Sequence, residues 1–238
     1  MKFIKLIKFI PVYLVSALPI QASSYSFGNA IFSSNSYNSD GSELEEGSDT
    51  ASIFFELGVF QEAGVEFTPT FGNITEWGDH FISLDSIDYD PSNAGGYFTG
   101  GGSFGDSTGQ VDNIQAPVGY RVYLWGYETK VVPTTGSDPV DWFLITGDAV
   151  GENDWSNEEW VVPDITTTNQ SDLERQWTIA TANTAIVGSI MGSTGEGEIE
   201  VEQTLGGNDI QFAAIPEPSS LMFVLLASLT FFVRRRHS

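Results

Sequence analysis

The chain has 238 residues, 41 % of them hydrophobic, including 17 Phe, 8 Tyr and 6 Trp. That content supports a buried core and excludes wholesale disorder, and the length suits one sandwich-sized domain. Nine Lys and Arg against 32 Asp and Glu give a formal net charge of −23, which excludes a nucleic-acid-binding surface, and the lack of Cys excludes disulfides, thiolate metal sites and a cysteine nucleophile.

In chain order, the first segment is Met1-Lys2-Phe3-Ile4-Lys5-Leu6-Ile7-Lys8, followed by an apolar stretch over 9–20 and then Gln21-Ala22-Ser23. A basic start, a dozen apolar residues and a small residue at the exit predict a secretory signal peptide over 1–22, cut between Ala22 and Ser23. The stretch is shorter than the roughly 20 residues a spanning helix needs.

Residues 23–214 predict one secreted domain. There is no heptad pattern and no long 3.6-residue period; short β-rich runs alternate with Gly, Asn, Asp, Ser and Thr. Strands are expected over 25–33, 52–60, 96–104, 120–127, 142–146, 176–180 and 185–190. Val122-Tyr123-Leu124-Trp125 is apolar at every position, which suits an inner strand covered on both faces. Ile74, Trp77, Phe81 and Leu84 follow helical spacing and predict one short helix, with Asn73 or Thr75 as its N-cap. Near the end, Glu198, Glu200 and Glu202 alternate with Ile199 and Val201. Gly206-Gly207-Asn208-Asp209 then turns into 210–214, so a closing hairpin is expected. The sum is an all-β domain, a two-sheet sandwich or jelly roll with one short helix.

Two glycine patterns overlap in this domain. Gly100 to Gly105 satisfies both G-x-G-x-x-G and, around Ser103, G-x-S-x-G. A pyrophosphate loop needs a helix after it and a nucleophile elbow needs a later histidine, whereas the sequence continues with turn residues and the body's histidine, His80, comes earlier. No catalytic residue is therefore expected, and the domain reads as non-enzymatic. The alternative of a glycoside hydrolase needs two carboxylates across a cleft, and so many carboxylates nominate no pair. Asp85, Asp88 and Asp90, and Glu152 to Glu159, lack the spacing of a calcium loop, so no cofactor is expected, with calcium as the alternative. Exposed aromatics make a carbohydrate-binding module a further alternative. Its candidate stacking residues are Trp155, Trp160 and Tyr127; the competing reading packs both tryptophans beneath their own loop.

The C-terminal segment reads Ile215-Pro216-Glu217-Pro218-Ser219-Ser220, then an apolar helix over 221–233, then Arg234-Arg235-Arg236-His237-Ser238. Thirteen residues of helix rise about 20 Å, less than the roughly 30 Å hydrocarbon core, and the arginines would stay cytoplasmic. Pro-Glu-Pro, a short apolar transmembrane helix and an arginine cluster, in that order over 215–238, resemble the bacterial PEP-CTERM sorting signal. The resemblance implies Pro216, Glu217, Pro218, Arg234, Arg235 and Arg236 as the signal. It further implies an exosortase-type sorting enzyme and the secretion machinery as partners, a transient or helix-borne contact with the membrane, and delivery to the cell surface or an exopolysaccharide-containing matrix.

Charge follows the same division. Between Ser23 and Ile215 lie Arg121, Lys130 and Arg175 against every carboxylate of the chain except Glu217, a net of −28. The expected product is a secreted polyanion that stays soluble, is repelled by anionic lipid and attracts divalent cations diffusely.

Overall fold

Side-chain alternation across strands organises the protein into two apolar clusters on opposite faces of one sheet. The computed structural model describes residues 24–29, 34–44, 53–89, 98–103, 110–111, 114–115, 117–134, 137–148, 159–163 and 174–217. Its main strands are β1 (Ser24–Gly28), β2 (Phe54–Glu62), β3 (Phe81–Asp88), β4 (Thr99–Ser103), β5 (Val122–Tyr127), β6 (Val140–Thr146), β7 (Glu174–Thr178), β8 (Thr184–Val187) and β9 (Ala213–Ile215). The largest sheet runs β3, β2, β5, β6 with antiparallel neighbours; on the far side of β6, β8 pairs with one half and β9 with the other. In a second sheet β1 lies between antiparallel β4 and parallel β7. The protein is thus mostly β-sheet, and each of the seven expected ranges overlaps a strand, while residues 30–33, 52, 96–97 and 104 of those ranges lie outside the described residues.

Odd and even positions of the central strands part company. Phe55, Leu57 and Val59 of β2, Val122 and Leu124 of β5, and Phe143 and Ile145 of β6 join Tyr25, Phe27 and Trp177 of the second sheet in one cluster. Phe60, Tyr123, Trp125, Tyr127, Trp142 and Leu144 form the other. All six residues of β5 are buried, as an inner strand requires.

The glycines of β4 belong to this packing. β4 pairs along its length with β1, and a Cβ on Gly100 would lie 2.2 Å from Cε1 of Phe27. Glycine lets the Phe27 ring lie directly on the strand, while Phe104 and Gly105, the last residues of the two patterns, lie outside the described residues.

The helix is shorter than expected. A 3-10 turn over Phe71–Glu76 leads into Trp77–His80, and Phe81 is already extended. Thr70, rather than Asn73 or Thr75, is the N-cap; the Asn73 side chain accepts from the Thr70 amide at 2.8 Å and from the Trp77 indole N–H at 2.8 Å. Phe81 and Leu84 belong to β3, where pairing with β2 overrides the helical spacing. Three residues apart on a strand, Phe81 reaches one cluster and Leu84 the other, and the register skip at Leu84 brings Ile87 to the same cluster as Leu84. The His80 ring packs 4.5 Å from that of Phe67.

The closing hairpin also differs from expectation. Glu198 bridges Ala214, but residues 199–205 form no backbone ladder, and Val201 is 50 % exposed. The buried Gln211 side chain takes the ladder's place. It accepts from the Gln203 amide at 3.0 Å and donates to the carbonyls of Val201 at 2.7 Å and Asn38 at 3.2 Å.

Candidate functional site

Three basic residues lie in the body, and the structure draws two of them inward. Arg175, on β7, is 2 % exposed and donates to Glu159 Oε2 at 3.2 Å. Burial pulls its guanidinium below the usual arginine range, and the neighbouring Glu159 carboxylate opposes that shift. Lys130, in the connection after β5, pairs with Glu56. The Arg121 backbone amide donates to Glu66 Oε1 at 2.8 Å.

The Lys130 site is built from the sheet. Glu56 follows Phe54 and Phe55 on β2, and alternation turns it towards the aromatic cluster, opposite Trp125 of β5. A carboxylate among aromatics is costly unless its charge is met. The Lys130 ammonium meets it, lying 5.0 Å from the centroid of Phe81, 5.5 Å from Trp125 and 5.2 Å from Tyr127. Burial pushes the Tyr127 hydroxyl pKa up, and the nearby Glu56 charge adds to the rise. Burial alone accounts for most of the rise at Tyr123, to about 12. Glu128 is pushed up by burial and by the charge of Asp141, whose carboxylate accepts from the Ser39 amide and hydroxyl at 2.8 and 2.9 Å. The arrangement is an internal ion pair whose ammonium is flanked by three rings.

Two of the three candidate sugar platforms are core residues. Trp160 is fully buried; its indole N–H donates to Thr181 Oγ1 at 3.1 Å, and its ring fills the space a Cβ on Gly147 would need. Backbone bonds from Val122 to Trp160 and from Val162 to Tyr120, both 2.9 Å, hold its segment beside β5. Tyr127 is 7 % exposed, stacked on Phe54 and packed on Trp125. Neither offers a free face to a sugar ring, and Trp155 lies outside the described residues.

Asp85, one of the candidate calcium ligands, has other partners. It accepts from the Ser86 amide at 2.8 Å and the Tyr25 hydroxyl at 3.3 Å. Among the described residues no group of three or more His, Asp or Glu is disposed to hold a metal. Asp90 and Glu152 to Glu158 lie outside them.

At the C-terminal end β9 pairs with β6, Val140 opposite Ile215, and stops there. Ile215 is buried, and Pro216 and Glu217 are half-buried. Pro218, the apolar stretch and Arg234, Arg235 and Arg236 lie outside the described residues, as do Ala22 and Ser23. No described helix is long and apolar enough to cross a membrane.

Composition did not single out Glu56 or Lys130. The available signals were an acid interrupting Phe54-Phe55-Glu56-Leu57 and the scarcity of cations in the body. No protein-family model, curated protein or solved structure matches the chain.

Proposed function

We propose that the chain is an exported cell-surface or extracellular-matrix protein, sorted through its C-terminal segment by an exosortase-type enzyme. Its role is structural or one of interaction rather than catalytic, in association with exopolysaccharide. One observation carries this reading: the Pro-Glu-Pro, apolar and arginine segments follow in that order directly after the last strand, which ends at Ile215. At the other end β1 begins at Ser24, next to the expected signal-peptide junction at Ala22 and Ser23. Both targeting segments thus flank the body, and the sheets share a cluster fed from both, as a sandwich or jelly roll would.

The charge pattern supports the matrix role. With Arg175 and Lys130 turned inward against Glu159 and Glu56, the remaining carboxylates give the body a strongly anionic character. Such a body hydrates strongly, resists self-association and condenses divalent cations loosely.

The test is fractionation in a host that carries a sorting enzyme of this class, comparing the full chain with a Pro216→Ala, Pro218→Ala double variant. The full chain is expected outside the cytoplasmic membrane, with the variant retained in the membrane fraction. Equal distribution of the two would contradict the reading.

A further inference from the structure

We propose that Glu56, Phe81, Trp125 and Tyr127 form a binding site for alkylammonium groups, with the Lys130 side chain as a tethered occupant that an external cation displaces. The walls come from three adjacent strands: Phe81 from β3, Glu56 from β2, and Trp125 and Tyr127 from β5. Only the ammonium comes from a loop. The receptor is therefore preorganised by the sheet and keeps its shape when Lys130 leaves.

The chemistry selects the ligand class. Ring faces within 5.0 to 5.5 Å of one ammonium attract it through their quadrupoles, and Glu56 supplies the countercharge. Calcium and magnesium need several oxygen ligands, whereas one carboxylate and three rings suit a soft, alkylated cation. Anions are repelled by Glu56.

The occupant is also placed to leave. Its side chain is 31 % exposed, so the site opens to solvent on the Lys130 side, and Val131 beside it is 68 % exposed. The backbone there is held independently, because the Trp142 indole N–H donates to the Thr129 carbonyl at 2.7 Å. Lys130 can swing out without the loop unfolding. A tethered competitor weakens the apparent affinity for an external ligand by the fraction of time it fills the site.

The test uses the purified full chain and two probes, tetramethylammonium and n-butylammonium chloride, against sodium chloride at equal ionic strength. The first readout is the acetylation rate of Lys130, followed by peptide mass mapping; the second is calorimetric binding to Lys130→Ala. A saturable rise in acetylation with an ammonium probe but not with sodium is expected. Binding should be about tenfold tighter in Lys130→Ala, because the competitor is gone, and should be lost again when Glu56→Gln is added. A response to tetramethylammonium alone assigns the site to methylated ammonium groups, and one to butylammonium alone assigns it to primary amines. Acetylation indifferent to both probes overturns the proposal, as does a Lys130→Ala chain that binds neither more than sodium. Should Lys130→Ala fail to fold, acetylation of the unaltered chain decides by itself.

Discussion

Glu159→Ala lowers the unfolding free energy by about 3 to 5 kcal/mol, the range for a buried ion pair broken from one side. The Arg175 side chain is 2 % exposed and that of Glu159 is 19 % exposed, so the pair is largely shielded from water. The pair also joins distant segments, because the Glu159 carbonyl accepts from the Trp177 indole N–H at 2.8 Å. Adding salt should change the loss little, since ions do not screen a buried pair well. Urea denaturation of the parent and the variant at neutral pH checks this. A single variant within 1 kcal/mol of the parent, on the order of an exposed pair's worth, would contradict it.

Trp142→Ala costs a similar amount, about 3 to 5 kcal/mol, for a different reason. Trp142 has no exposed surface; its ring lies 5.8 Å from Trp77 at an interplanar angle of 25° and meets Trp125 edge-on at 5.1 Å. Truncation empties the middle of the aromatic cluster and frees the Thr129 carbonyl. It also undermines β9, whose Ala213 pairs with Trp142, and through it the approach to Pro216. Trp142→Phe keeps most of the packing and loses the indole hydrogen bond, so about 1 to 2 kcal/mol is expected. Urea denaturation followed by far-UV circular dichroism separates the two variants, and equal losses would contradict the packing argument.

What the sequence made legible was local. β5 was readable because four successive apolar residues have no solvent face to spare, and the other expected strands were bounded by Gly, Asn, Asp and Ser. β3 was misread because Phe81 and Leu84 extend the helical spacing of Ile74 and Trp77, whereas pairing with β2 makes the segment a strand. The closing hairpin was over-regularised because a side chain, Gln211, makes bonds that alternation assigns to backbone. Trp160 follows Asn157-Glu158-Glu159 and so looked half-solvated, yet the bonds from 120–122 to 160–162 bury it. Glu56 and Lys130 are 74 residues apart, and only the strand order and the return of the loop bring them together. Such long-range juxtapositions leave almost no trace in composition or periodicity, whereas the expected targeting segments are each contiguous in sequence.

The most direct test of the account is intact mass with C-terminal peptide mapping of the protein recovered from its native host, with and without the sorting enzyme. The account predicts a mature chain starting near Ser23 and ending near Pro216, absent when the enzyme is absent. A recovered chain that still carries Arg234, Arg235 and Arg236 in the presence of the enzyme would contradict it and leave a plain membrane anchor in its place.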